Sequence, residues 1–231
     1  ITDLFLFVFT QLILHYRMEI LSLIDWLFFD IGSTLVDERQ ALDDFVNRCV
    51  EKLAQEGVAV SDADYHNQLL HIAEQGGDPI HEAWSCFAPN HLKRPSWSHD
   101  KERLFPEVRL VLKTLGERYR LGIIANQGKG LLDRLERFGI LDNFEIIINS
   151  TDIGFSKPDL RIFQVALEKA NIEPSKAVYV GDRVDNDMVP AKKLGMRTIR
   201  LRQGLGQYGS EDATFPSDWQ VSNVQELLQV L

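Results

Sequence analysis

The stretch Ala177-Val178-Tyr179-Val180-Gly181-Asp182-Arg183-Val184-Asp185-Asn186-Asp187 decides how this chain is read. Its first half is a short apolar run, the length of a fully buried strand. Its second half is acidic. A helix is predicted over 186–194, stopped by Gly195, and a further strand over Met196 to Leu201. Strand, acidic turn, helix and strand in succession are the unit of a parallel sheet. Carboxylates at the end of such a strand stand where ligands gather in open α/β sheets.

The same unit recurs upstream. A helix from Glu107 to Arg118 leads into the strand Leu121-Gly122-Ile123-Ile124-Ala125. A helix near 129–138 stops at Gly139, Phe144 to Ile148 reads as a strand, and Asp159 to Ala170 as a helix behind Lys157-Pro158. The first strand, Trp26-Leu27-Phe28-Phe29, runs into Asp30. The alternation predicts an α/β fold with a doubly wound, Rossmann-like parallel sheet.

Between residues 37 and 104 the texture is different. Leu42, Phe45, Val46, Cys49, Val50 and Leu53 recur at helical spacing. A second helix is predicted near 62–75, broken by Gly76-Gly77-Asp78-Pro79, and a third runs from Ile80 into Trp84 and Phe87. The stretch 37–104 is therefore expected to be a small helical domain inserted into a sheet domain made of 18–36 and 105–231. Trp84, Phe87 and Trp97 are read as the insert's own core in preference to a substrate wall.

The N-terminus carries an apolar run, Leu4 to Leu14, shorter than the ~20 residues a spanning helix needs. Asp3 stands where a signal peptide carries positive charge, and Met18 offers a start just before the first strand. Residues 1–17 are expected to be a non-native or flexible extension; the alternative is an added amphipathic helix. No membrane partner is expected.

The 231 residues carry 25 basic and 34 acidic side chains, a formal charge of −9, which argues against a duplex nucleic-acid surface. The 2 cysteines, Cys49 and Cys86, form no CxxC pair, so zinc ribbons and disulfide scaffolds are excluded and a reduced, cytoplasmic setting is expected. Gly204-Leu205-Gly206-Gln207-Tyr208-Gly209 spells GxGxxG but no apolar helix follows, so it reads as a loop. Gly128-Lys129-Gly130 lacks both the spacing and the hydroxyl residue of a P-loop. His66, His71, His81, His91 and His99 fall in the insert without metal-ligand spacing.

Three polar clusters remain, each where a strand is predicted to end: Asp30 with Gly32, Ser33 and Thr34; Lys157; and Gly181-Asp182 with Asp185 and Asp187. Converging carboxylates suit Mg²⁺. A lysine beside them offsets charge on a nucleophile and a phosphoryl group. An open loop after Asp30 can aim N–H groups at phosphate oxygens.

This order of clusters resembles the haloacid dehalogenase (HAD) superfamily, in the branch with a helical cap inserted after the first motif, over nearly all of residues 25–231. The first motif is similar to Phe29-Asp30-Ile31-Gly32-Ser33-Thr34-Leu35. The second is similar to Gly122 through Ala125-Asn126, the third to Lys157-Pro158, and the fourth to Gly181 through Asp187. The resemblance implies that Asp30 is the nucleophile of an aspartyl-phosphate mechanism and that Lys157 stabilises transition-state charge. It implies a phosphate site from Ile31, Gly32, Ser33, Thr34, Ala125 and Asn126. It also implies Mg²⁺ held by Asp30, Asp182 and the backbone carbonyl of Gly32, with Asp187 acting through a water on the ion or by orienting Lys157.

Two departures matter. Phosphatase relatives carry a second aspartate two residues after the nucleophile, where this chain has Gly32, which cannot transfer a proton. The hydroxyl residue of the second motif is Ala125 here. General acid–base help is worth about 10²–10⁴-fold, so aryl and acyl phosphates are expected to be cleaved far better than sugar phosphates. The leading expectation is a Mg²⁺-dependent phosphatase acting on a small phosphorylated metabolite. The alternative is a catalytically impaired relative that binds Mg²⁺ and phosphate in a regulatory role. A dehalogenase is the weaker reading, because the acidic residues after Gly181 are intact. A receiver domain is excluded by order, since its lysine comes last.

Overall fold

The computed structural model describes residues 22–231; the expectation for residues 1–17 lies outside that range. Six parallel strands form one sheet in the order β5-β4-β1-β6-β7-β8. They are β1 (Trp26–Phe29), β4 (Arg120–Ala125), β5 (Ile146–Asn149), β6 (Ala177–Gly181), β7 (Arg197–Leu201) and β8 (Trp219–Val221). All four residues of β1 are buried, because a central parallel strand is covered on both faces. Leu27 and Phe29 join one apolar layer, while Trp26 and Phe28 join the other. That is the period-two alternation of a strand.

Two short strands, β2 (Val36–Asp37) and β3 (Arg103–Leu104), pair antiparallel with Val36 opposite Leu104. Between them lie α1 (Arg39–Gln55), α2 (Asp62–Glu74) and α3 (Pro79–Phe87). Ser61 caps α2 by accepting from Asp64 N, and Asp78 caps α3 by accepting from His81 N, with Pro79 opening the helix. Gly76 turns the chain between them with a φ of 75°, where a side chain would be strained. Phe45, Val46, Cys49, Leu53, Tyr65, Leu69 and Trp84 form a separate apolar cluster against which Phe87 and Trp97 pack.

The sheet is flanked on one face by α4 (Val108–Gly116) and α5 (Leu131–Arg137), and on the other by α6 (Leu160–Ala170) and α7 (Val189–Leu194). Three details differ from the sequence expectation. The helix predicted over 186–194 begins with a wide turn, Val184–Met188, in which the N–H groups of both Asp187 and Met188 donate to Arg183 O. Pro190, lacking an N–H, sits in the first turn of α7, after the widening. The strand predicted from Phe144 begins at Ile146, because Leu141–Asn143 forms a tight 3₁₀ turn. The edge strand β8 was not anticipated, since three residues with one buried apolar side chain give no periodic signal.

Candidate active site

β1 and β6 are hydrogen-bonded neighbours, so the residues that follow them emerge side by side. Asp30 N still donates to Val180 O at 2.9 Å, which fixes Asp30 at the sheet edge. Asp182 follows Gly181 on the adjacent strand. Asp187 is carried back toward both by the wide turn, where its Oδ2 accepts from Arg183 N at 2.9 Å. A Cβ on Gly181 would lie 2.6 Å from the Asp187 carboxylate carbon, so only glycine admits this approach.

Lys157 arrives from the far side of the sheet, beyond β5. Asn126, at the end of β4, grips its main chain at two points: Asn126 Nδ2 donates to Lys157 O at 2.9 Å, and Lys157 N donates to Asn126 Oδ1 at 2.7 Å. The Lys157 ammonium then donates to Asp30 Oδ1 at 2.7 Å, Asp187 Oδ1 at 2.6 Å and the Tyr179 hydroxyl at 2.9 Å. Tyr179 in turn donates to Ile124 O at 2.7 Å. Tyr179 was not anticipated, because a tyrosine inside an apolar strand reads as core.

Burial pushes the Asp30 carboxyl up, and Lys157 opposes that shift. Asp182 is raised well above the carboxylate range by burial and by Asp187 and Asp30. Burial alone would lower Lys157, but Asp187 and Asp30 together hold it above its ordinary value. Oxygens of Asp30, Asp182 and Asp187 lie within 4.8 Å of one another. Lys157 pairs with Asp30 and Asp187, and no basic side chain among the described residues pairs with Asp182. A buried all-oxygen cluster of three carboxyls with one ammonium, in which Asp182 and Asp30 are pushed toward the neutral form for want of positive charge, fits a hard divalent cation such as Mg²⁺.

The remaining anticipated residues are distributed unevenly. Gly32, Ser33 and Asn126 line the same cavity, of about 1240 Å³, as Asp30, Lys157, Asp182 and Asp187. Ile31 and Ala125 sit in the apolar core. Thr34 is fully buried, and its hydroxyl meets no hydrogen-bond partner among the described residues. Asp185 is paired with Arg183, whose Nη2 also donates to Gly77 O in the insert at 3.0 Å. Of the insert's histidines, His66, His81 and His99 line the cavity, as does Trp97, which also packs on Phe45.

Three further groups, lining the cavity or bonded to its lining, escaped the sequence reading. Glu38, just before α1, accepts from Ser33 Oγ at 3.2 Å and is pushed up to about 8 by burial, with the Glu102 and Asp30 carboxylates adding to the shift. The loop after β7 closes tightly on the site: Cβ atoms on Gly204 and Gly206 would lie 2.2 Å from Ser33 Oγ and 2.3 Å from Asp182 Oδ2. The GxGxxG spelling therefore marks close backbone approach to carboxylate and hydroxyl, at the mouth of this cavity. Lastly, Arg134 on α5 pairs with buried Glu102 at 3.0 Å and donates to Gln127 Oε1 at 2.5 Å, with His99 against both charged groups.

The family model for haloacid dehalogenase-like hydrolases matches residues 27–201. The glyceraldehyde 3-phosphate phosphatase of Pyrococcus furiosus is 28% identical over 223 residues, covering 89% of this chain and 92% of that protein. The pyrimidine 5'-nucleotidase YjjG of Escherichia coli is 29% identical over 225 residues, covering 90% and 97%. Among solved structures, a HAD phosphatase from Thermococcus onnurineus superposes with a TM-score of 0.64 at 24% identity, covering 90% of this chain and 97% of that one. The motif order, the parallel sheet and the match across residues 27–201 together place this chain in the haloacid dehalogenase-like hydrolase family.

Proposed function

We propose that the chain is a Mg²⁺-dependent phosphatase that cleaves a small phosphorylated metabolite through a phosphorylated Asp30. The observation that carries this reading is the Lys157 ammonium held between Asp30 and Asp187 beside the cation-free carboxylate of Asp182. Named phosphatase and nucleotidase relatives of matching length support it.

Lys157 occupies Asp30 Oδ1, which leaves Oδ2 to attack phosphorus. Asp30, Asp182 and Asp187, with the Gly32 carbonyl, would hold the Mg²⁺, which when bound neutralises phosphoryl charge. Lys157 stabilises the negative charge that spreads over the phosphoryl oxygens as the bond to the leaving group breaks. Asn126 and Tyr179 fix the lysine from its main chain and its tip. Asp187 keeps that ammonium protonated and aimed. The helical insert roofs the cavity with His66, Trp97 and His99 and would act as a cap that excludes water.

The test is phosphate release from p-nitrophenyl phosphate and acetyl phosphate, with and without Mg²⁺, with Asp30→Asn as control. Release that needs Mg²⁺ and vanishes in the variant supports the reading. Phosphate and Mg²⁺ binding without release supports the second reading, a regulatory binder, which the missing acid at Gly32 favours.

A further inference from the structure

The turn after Asp30 has no side chain at Gly32, yet the space that side chain would take is filled. A Cβ on Gly32 would lie 2.7 Å from Glu38 Oε1, 2.8 Å from Oε2 and 2.9 Å from the carboxyl carbon. The chain from Ile31 to Val36 folds back on itself, with Leu35 N and Val36 N both donating to Ile31 O at 2.9 Å. That tight return brings the start of α1 against the residue two after Asp30. Ser33, in the left-handed region at φ 54°, donates its Oγ to Glu38 Oε2 and orients the carboxyl.

Several other acids around the cavity are engaged, although Asp182, like Glu38, has no cationic partner among the described residues. Asp187 is held by Lys157, Asp185 by Arg183, Asp37 by Arg39 and Glu211 by Arg200. Glu38 has no cation within ion-pair reach among the described residues and faces the same cavity as Asp30. A carboxyl without a cationic partner, beside the nucleophile, is free to exchange a proton.

We propose that Glu38 supplies the proton that Gly32 cannot, as general acid to the leaving alcohol and then as general base to water. The inference rests on the phosphatase reading above. In the first step Asp30 Oδ2 bonds to phosphorus, the P–O bond to the alcohol breaks, and the Glu38 carboxyl proton passes to the departing oxygen. In the second step water attacks phosphorus and gives its proton to the Glu38 carboxylate. The Asp30–phosphorus bond breaks, inorganic phosphate leaves and both side chains are restored. The substrate class follows: with a proton donor in place, alkyl phosphates of sugars and polyols, whose leaving groups are poor, become substrates alongside aryl and acyl phosphates.

The experiment measures single-turnover cleavage of glycerol 2-phosphate and of p-nitrophenyl phosphate in Mg²⁺, for the wild type and Glu38→Gln. p-Nitrophenolate leaves with little help, whereas an alkoxide needs the proton. Loss of a general acid is expected to lower the glycerol phosphate rate by about 10²–10⁴-fold, and to lower the aryl rate at least tenfold less. Equal losses on both substrates would assign Glu38 a structural role and overturn the inference while leaving the phosphatase reading intact. A wild type that cleaves neither substrate would remove the phosphatase reading and this inference with it. Should the variant not fold, the wild type decides alone: across a series of phosphate esters, a shallow dependence of rate on leaving-group pKa is expected, and a steep one overturns the proposal. The double variant Gly32→Asp/Glu38→Ala, which puts a carboxyl into the vacated space from the other side, is expected to regain alkyl phosphate cleavage over Glu38→Ala.

Discussion

Two buried charge clusters lie a few side chains apart, and they are built on opposite principles. Around Lys157, two carboxylates share one ammonium, and the third, Asp182, has no cation among the described residues. Around Arg134, the guanidinium meets Glu102 one for one, and Trp97, His99 and Gln127 take up further hydrogen-bonding positions. The second cluster is balanced and joins the return of the insert to α5. The first holds more carboxyls than cations among the described residues, and burial pushes Asp182 and Asp30 toward their neutral forms. Keeping carboxylates together costs stability, and the balanced pair nearby shows the alternative; the contrast supports the proposal that the first cluster receives a cation.

Substitutions separate the two. The largest effect is expected from Asp30→Asn, which removes the carboxylate proposed as nucleophile: phosphate release from p-nitrophenyl phosphate is expected to fall by about 10⁴-fold or more. Retained turnover would mean that the unbalanced cluster is not a reaction centre. Arg134→Met strips the cation from Glu102 and is expected to lower unfolding free energy in urea by about 3 kcal/mol, as breaking a buried pair does. An unchanged midpoint would show that His99 and Trp97 together satisfy Glu102.

Asn126→Ala sharpens the contrast, because it changes no charge. Freed from its two main-chain bonds, Lys157 shifts, and kcat is expected to fall by up to about 10²-fold with thermal stability nearly unchanged. A change in KM alone would place Asn126 on the substrate instead. The smallest effect has the opposite sign. Asp182→Asn removes a carboxyl whose ionisation burial, Asp187 and Asp30 oppose, so the metal-free protein at neutral pH is expected to gain about 1 kcal/mol of stability while losing its stabilisation by Mg²⁺. A loss of stability in calorimetry would contradict this account of the crowded cluster.

The sheet was legible because β1, β4 and β6 are buried on both faces and so read as unbroken apolar runs ended by polar residues. The order of Asp30, Lys157 and Asp182 along the chain was enough to foresee their meeting at one sheet edge. What the sequence hid depends on packing between distant segments. Asn126 was read as a phosphate donor, and its grip on the Lys157 main chain comes from two segments 31 residues apart meeting in the fold. Tyr179 occupies an apolar strand, and only the parallel register sets its hydroxyl beside Lys157. Glu38 lies in a polar stretch where glutamate carries no signal, and its closeness to Gly32 comes from a reversal of the chain over six residues. Gly204 and Gly206 were read as ordinary loop residues, since no spacing rule says what a loop touches.

That loop has a consequence for how often the cavity is open. Leu205, between the two close-packed glycines, leaves the sheet domain's edge and packs into the apolar cluster of the insert. Lifting the insert away returns Leu205 to water, at a cost of about 1–2 kcal/mol for a side chain that is only partly buried. That contact alone lowers the population of any form with the insert lifted away by roughly five- to thirtyfold. A smaller residue at 205 would raise that population, and with it the rate at which product escapes, without touching any group that binds phosphate.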